Sequence, residues 1–102
     1  MEKIQSRFDI ETLNKVAEIL KTIAHPVRIS ILEALDKESQ LSVTALKAHT
    51  NIEQSLLSHH LIKMKDKGIL KSYREGKNIY YQLADEHILK IFECMENCSI
   101  IK

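Results

Sequence analysis

Gln54, Ser55, Ser58, His59 and Lys63 fall at spacings of one, three and four residues. If this stretch is helical, one face gathers an amide, two hydroxyls, an imidazole and an ammonium. Those are the groups that pair with base edges and phosphates: an amide can meet adenine through two bonds, and hydroxyls serve several bases. A merely solvated helix face usually mixes Glu and Lys, and none of these five is a carboxylate. The other side of the same stretch carries Leu57, Leu61 and Met64 at i, i+4 and i+7, the stripe of a helix packed on a core. One side is therefore built to bury and the other to be read.

A reading face needs elements that hold it out. The spacing predicts two short helices in Leu41 to Lys67, from about Val43 to His49 and from Gln54 to Lys67, joined by Thr50-Asn51-Ile52. Ser42 can cap the first of them, and Gly68 suits the left-handed position that ends the second. The period then falls from 3.6 to 2. Ile69 to Arg74 and Ile79 to Leu83 read as two strands around the hairpin chemistry of Glu75-Gly76-Lys77-Asn78, with Arg74 and Lys77 at the tip. A two-stranded ribbon directly after the second helix of a helix-turn-helix is a wing.

Upstream, Asp9 can cap an amphipathic helix carrying Leu13, Val16, Ala17, Leu20, Ile23 and Ala24. Pro26 opens a second helix with Val27, Ile31, Leu32 and Leu35. The plain reading of both apolar sets is core packing. Residues 1–8 carry no clear pattern and read as a frayed end or a helix extension. Downstream, Asp85 can cap a last helix bearing Ile88, Leu89, Ile91, Phe92, Met95, Cys98 and Ile101. That stripe is too broad for one small core, so part of it implies a partner surface, most simply a second copy.

Composition agrees. At 102 residues the chain is a single domain with a modest core, and two glycines and one proline favour helices with short connections. No apolar run could span a bilayer and no signal core opens the chain, so no membrane partner and a cytoplasmic location are expected. Two cysteines are too few for a disulfide scaffold. The net charge of +1 is unevenly spread. Residues 54–83 hold six basic side chains (Lys63, Lys65, Lys67, Lys71, Arg74, Lys77) against Asp66 and Glu75, a local +4. Residues 84–102 are locally −2. The positive charge lies where a nucleic-acid reader needs it. An enzyme is not expected: there is no glycine-rich phosphate loop, no HExxH, and no nucleophile with a base on loops.

Three phrases, IAHPVRISILEAL (Ile23 to Leu35), SLLSHHLIKMKDKGIL (Ser55 to Leu70) and YREGKNIYYQL (Tyr73 to Leu83), resemble in order and spacing the ArsR/SmtB-type winged-helix repressors of bacteria. The resemblance covers nearly the whole chain. It implies about five helices with a two-stranded wing, a homodimer built on the first and last helices, and promoter binding that an effector releases. On that footing Leu13, Val16, Leu20, Ile88, Ile91, Phe92 and Met95 are expected at the dimer seam. Double-stranded DNA is the expected partner. Gln54, Ser55, Ser58 and His59 would meet bases. Lys63, Lys65, Arg74 and Lys77 would meet phosphates, with Ser42 and Thr44 donating to phosphate from the third helix. His60 is one residue off the reading face and is expected to pack inward.

The effector is where the chain departs from the pattern. The family's cysteine-bearing sensing phrase aligns with Gln40 to Leu46, which has no thiol, so thiolate coordination there is excluded. A second family site, on the last helix, keeps Asp85 and His87 but would continue at Cys98 and Ile101. Asp85, His87 and Cys98 with water could still hold zinc. The competing reading is a cap, a first-turn residue and a small apolar thiol. Cys94 and Cys98, four apart, could form a redox pair or be two buried thiols. No resident cofactor is expected and the effector is unknown. A winged helix used for protein assembly is the rival from another class.

Overall fold

The computed structural model describes residues 4–101. Residues 1–3, part of the expected frayed end, and Lys102 lie outside the described residues. The described residues form five α-helices and a three-stranded antiparallel sheet: α1 (Ile10–Ile23), α2 (Pro26–Lys37), β1 (Gln40–Ser42), α3 (Val43–Thr50), α4 (Gln54–Asp66), β2 (Leu70–Glu75), β3 (Asn78–Leu83) and α5 (Lys90–Glu96). The strand order is β1-β3-β2.

Each helix starts and stops for a local reason. The Asp9 carboxylate accepts from Thr12 N at 2.7 Å and opens α1, while Ser42 Oγ accepts from Ala45 N at 3.1 Å and opens α3. The imidazole of His25 accepts from Val27 N at the start of α2, and Pro26 follows at its first position. Asn51 ends α3 in the left-handed conformation (φ 57°), which its short polar side chain tolerates. Gly68 ends α4 at φ 79°, with Gly68 N donating to Lys65 O and Ile69 N to Met64 O, each at 2.9 Å. That pair of bonds satisfies the last carbonyls of α4 and turns the chain into β2.

The core is continuous and central. Ile31, Leu32 and Leu35 of α2, Leu46 of α3, and Leu57, Leu61 and Met64 of α4 are all but completely buried, with Ile69, Leu70, Tyr81 and Leu83 closing one side. The expected stripe of α4 is thus its buried face.

Three expectations are corrected. The ribbon has a third strand: β1 pairs with β3, Leu41 lying opposite Tyr81. With only three residues, β1 is too short to show a period, and its middle residue is the only one buried. The last helix opens on a 3-10 turn and stops early. Asp85 does cap, accepting from His87 N at 2.9 Å, but Glu86–Leu89 form a 3-10 turn and α5 ends at Glu96. Cys98 and Ile101 therefore lie past the helix, and the helical stacking expected of Cys94 and Cys98 does not hold. Finally, core packing describes α2 but not α1. On α1 only Thr22 and Ile23 are buried, whereas Val16 is 39% and Leu20 49% exposed.

Candidate nucleic-acid interface

Helix α4 sits against α2, α3 and β2 through Leu57, Leu61 and Met64 and turns its other side outward. Gln54, Ser55, His59, Lys63 and Lys65 are exposed there, and Ser58 is half-buried. The outward side is not wholly polar, as the five residues alone would suggest. Ile62, 51% exposed, falls four residues after Ser58 and three after His59, and Leu56 is also exposed. Apolar groups on such a face can meet thymine methyls. His60 packs inward as expected, 5% exposed, with Arg28 donating to its Nδ1.

The two helix starts of the helix-turn-helix differ in charge. The Glu53 carboxylate caps α4, accepting from Ser55 N at 3.0 Å and Leu56 N at 3.1 Å, and those backbone bonds hold its pKa below the usual carboxylate value. An anion already fills that end. The start of α3 is capped by the neutral Ser42, whose oxygen accepts from Ala45 N and whose hydroxyl proton remains available to donate. Thr44 is exposed one residue into that helix. Of the two starts, α3 is the one open to a phosphate.

The wing presents Arg74 and Lys77 exposed beside its tip. Glu75 pairs with Asn78, leaving Gly76-Lys77 as a two-residue loop with Gly76 at φ 63°. On one face of the ribbon the rings of Tyr73 and Tyr80 stack at 5.4 Å, and Tyr73 Oη donates to Gln40 Oε1 at 2.7 Å. β1 is thereby tied to the hairpin by a side chain as well as by its ladder. Lys67, left out of the interface by sequence, pairs instead with Glu18 of α1 at 2.7 Å.

The remaining candidates spread over the two ends of the chain. Leu13 is half-buried, and Val16 and Leu20 lie on the open side of α1. Ile88, Ile91 and Phe92 pack partly on the core, whereas Met95 is 44% exposed. Asp85 Oδ1 lies 2.7 Å from His87 Nδ1, and the bonds from His87 depress the Asp85 pKa. No three metal-ligating side chains converge among the described residues. Cys94 is an exposed free thiol, and Cys98 is half-buried. No helix among the described residues is long and apolar enough to cross a membrane.

What sequence reasoning missed is Arg28. Its partners Thr22 and His60 are six and 32 residues away, so no local spacing announces it.

Comparison with known proteins places this geometry. A family profile described as "Bacterial regulatory protein, arsR family" matches residues 25–72, from the start of α2 into β2. The transcriptional repressor PagR of Bacillus anthracis is 37% identical over 91 residues, covering 86% of this chain and 91% of PagR. Its crystal structure superposes with a TM-score of 0.77, covering 85% of this chain and 99% of that one. The repressor SmtB of Mycobacterium tuberculosis is 38% identical over 81 residues, which are 79% of this chain and 59% of SmtB. The homodimeric winged helix-turn-helix DNA-binding domain of Mb0332 from Mycobacterium bovis, a possible ArsR-family regulator, is 27% identical with a TM-score of 0.74. That match covers 93% of this chain and 87% of the domain. The chain belongs to the ArsR family of bacterial regulatory proteins and is a DNA-binding transcriptional regulator.

Proposed function

We propose that the chain is a repressor that binds a near-palindromic operator as a homodimer, one α4 per half-site, in the cytoplasm where the chromosome lies. The observation that carries this is the division of α4: a fully buried stripe fixes the helix, and the side turned to solvent offers Gln54, Ser55, Ser58 and His59 next to a cationic wing. Gln54 pairs with adenine, and Ser55, Ser58 and His59 meet neighbouring base edges. Lys63, Lys65, Arg74 and Lys77 neutralise phosphates, joined by Ser42 and Thr44 at the neutral start of α3. Leu13, Val16 and Leu20 of α1, with Ile88, Ile91, Phe92 and Met95, close the dimer. The names of PagR and SmtB support repression, and the homodimeric Mb0332 domain supports the two-copy arrangement.

Selection of bound duplexes from a random pool tests this. The expected product is an inverted repeat whose half-sites lie about 34 Å apart along the duplex. A pool that stays random, or a complex insensitive to salt, would point to an assembly module. Repeating the selection with zinc, copper or an oxidant reports whether an effector releases the DNA.

A further inference from the structure

The middle of α4 is held from behind by a polar bracket that lies off the reading face. Arg28, in the first turn of α2, donates from Nε to His60 Nδ1 at 3.0 Å and from Nη1 to the Thr22 carbonyl at 2.8 Å. That carbonyl belongs to the last turn of α1, where carbonyls lack helical partners and cations are favoured. One planar cation therefore joins the end of α1, the start of α2 and the midpoint of α4.

The bracket dictates a protonation state. His60 Nδ1 accepts, so the ring is neutral with its proton on Nε2. The groups that face the ring are cationic or can become so: Arg28 and His25 from the start of α2, with the His25 ring at 4.5 Å, and His59 from its own helix at 5.2 Å. On α1, the Thr22 carbonyl is occupied by Arg28. No carboxylate stands among the charges acting on His60. Burial first, then the charges of His25, Arg28 and His59, push its pKa below the ordinary 6.5. Protonation would turn Nδ1 from acceptor to donor and set two cations against each other across 3.0 Å.

We propose that Arg28 and His60 are positioning residues for DNA binding: they seat the recognition helix on α1, and a proton on His60 releases that seat and lowers operator affinity. The proposal rests on α4 being the reading helix. It adds a pH-sensitive joint between α1 and the reader, using residues that lie outside the proposed reading face and dimer seam.

The test uses the full chain and a duplex recovered by selection, with affinity measured from about pH 7.5 downward to the lowest pH at which circular dichroism still shows the fold, because the lowered pKa of His60 places its protonation below the ordinary histidine range. His60→Asn keeps an acceptor toward Arg28 and cannot take a proton. It should bind like the unmodified protein at the upper end and about fivefold more tightly at the lower end, a modest coupling. Arg28→Lys keeps the charge but not the two-pronged reach. It should weaken binding about fivefold at the upper pH, with an unchanged salt slope because no phosphate contact is lost. Circular dichroism confirms that each variant is folded. Should His60→Asn unfold, the ring of His60 is followed by NMR in the unmodified protein, where its titration must track the loss of affinity. Parallel pH profiles, a ring titration unlinked to affinity, or wild-type binding by Arg28→Lys would overturn the bracket alone. A pool with no selected duplex would overturn the reading of α4 and the bracket with it.

Discussion

The span from Pro26 to Leu83 and the helices at the two ends are finished to different degrees. In the middle span, seven large side chains from Ile31 to Met64 are essentially inaccessible, and the sheet closes over them. At the ends, α1 buries only Thr22 and Ile23, and α5 has no buried residue at all. Ile10, Val16, Ile19 and Leu20 of α1 and Met95 of α5 are instead exposed. The middle closes its core within one chain. The ends carry apolar surface that a single copy leaves wet, as a dimer seam does before assembly. The lesson is a division within the fold: the middle completes its core in one chain, whereas the ends leave apolar surface that the proposed dimer would cover.

The contrast can be broken in order of expected effect. Leu61→Ala, in the middle, removes a fully buried side chain and should cost ~2–5 kcal/mol in urea unfolding, a large share of the ~5–15 kcal/mol typical of a domain. Leu20→Ala should cost far less in dilute protein, and equal costs would erase the distinction. Leu20→Glu should leave the fold intact yet halve the mass in solution by light scattering. Operator affinity should fall by about 10²-fold or more, because half-sites then bind separately. A dimer that survives this change would move the seam elsewhere. Gln54→Ala should leave both fold and dimer unchanged and cost ~1–3 kcal/mol at one base pair, relaxing the selected sequence there. An unchanged consensus would mean that the reading side of α4 is misplaced. Lys77→Ala is the mildest: it should weaken every duplex about equally and reduce the slope of log affinity against log salt by about 0.9.

The middle was also the more legible half. The stripe Leu57, Leu61 and Met64 announced the buried side of α4 by period alone, and Gly68 and Gly76 stand at positive φ where the chain turns. The inward turn of His60 followed from its place one residue off the reading face. β1 escaped because three residues cannot display an alternation. Arg28 escaped because its partners are set by tertiary packing, not by spacing. Ile62 was overlooked because the polar residues around it drew the face. At the ends, the apolar pattern identified helices but not what they pack on, since a seam and a core share one chemistry. The last helix opens on a 3-10 turn at Glu86–Leu89 and runs straight into α5, Leu89 and Lys90 both keeping right-handed helical dihedrals, as helix starts often do.

The third strand has an entropic meaning. Because β1 is laddered to β3 only as far as Ser42 opposite Tyr80, and Gln40 accepts from Tyr73, the base of the wing is fixed on folding while the tip from Arg74 to Ile79 extends past the third strand. A floppy ribbon would surrender its freedom each time it met a duplex, at about 0.5–1.5 kcal/mol for every long side chain immobilised together with its loop. Here the backbone of the base is ordered before DNA arrives, while the exposed side chains of Arg74 and Lys77 keep their freedom. If Arg74 and Lys77 meet phosphates as proposed, they do so from a two-stranded tip on an anchored base, so the ordering left to binding is confined to the tip and its side chains.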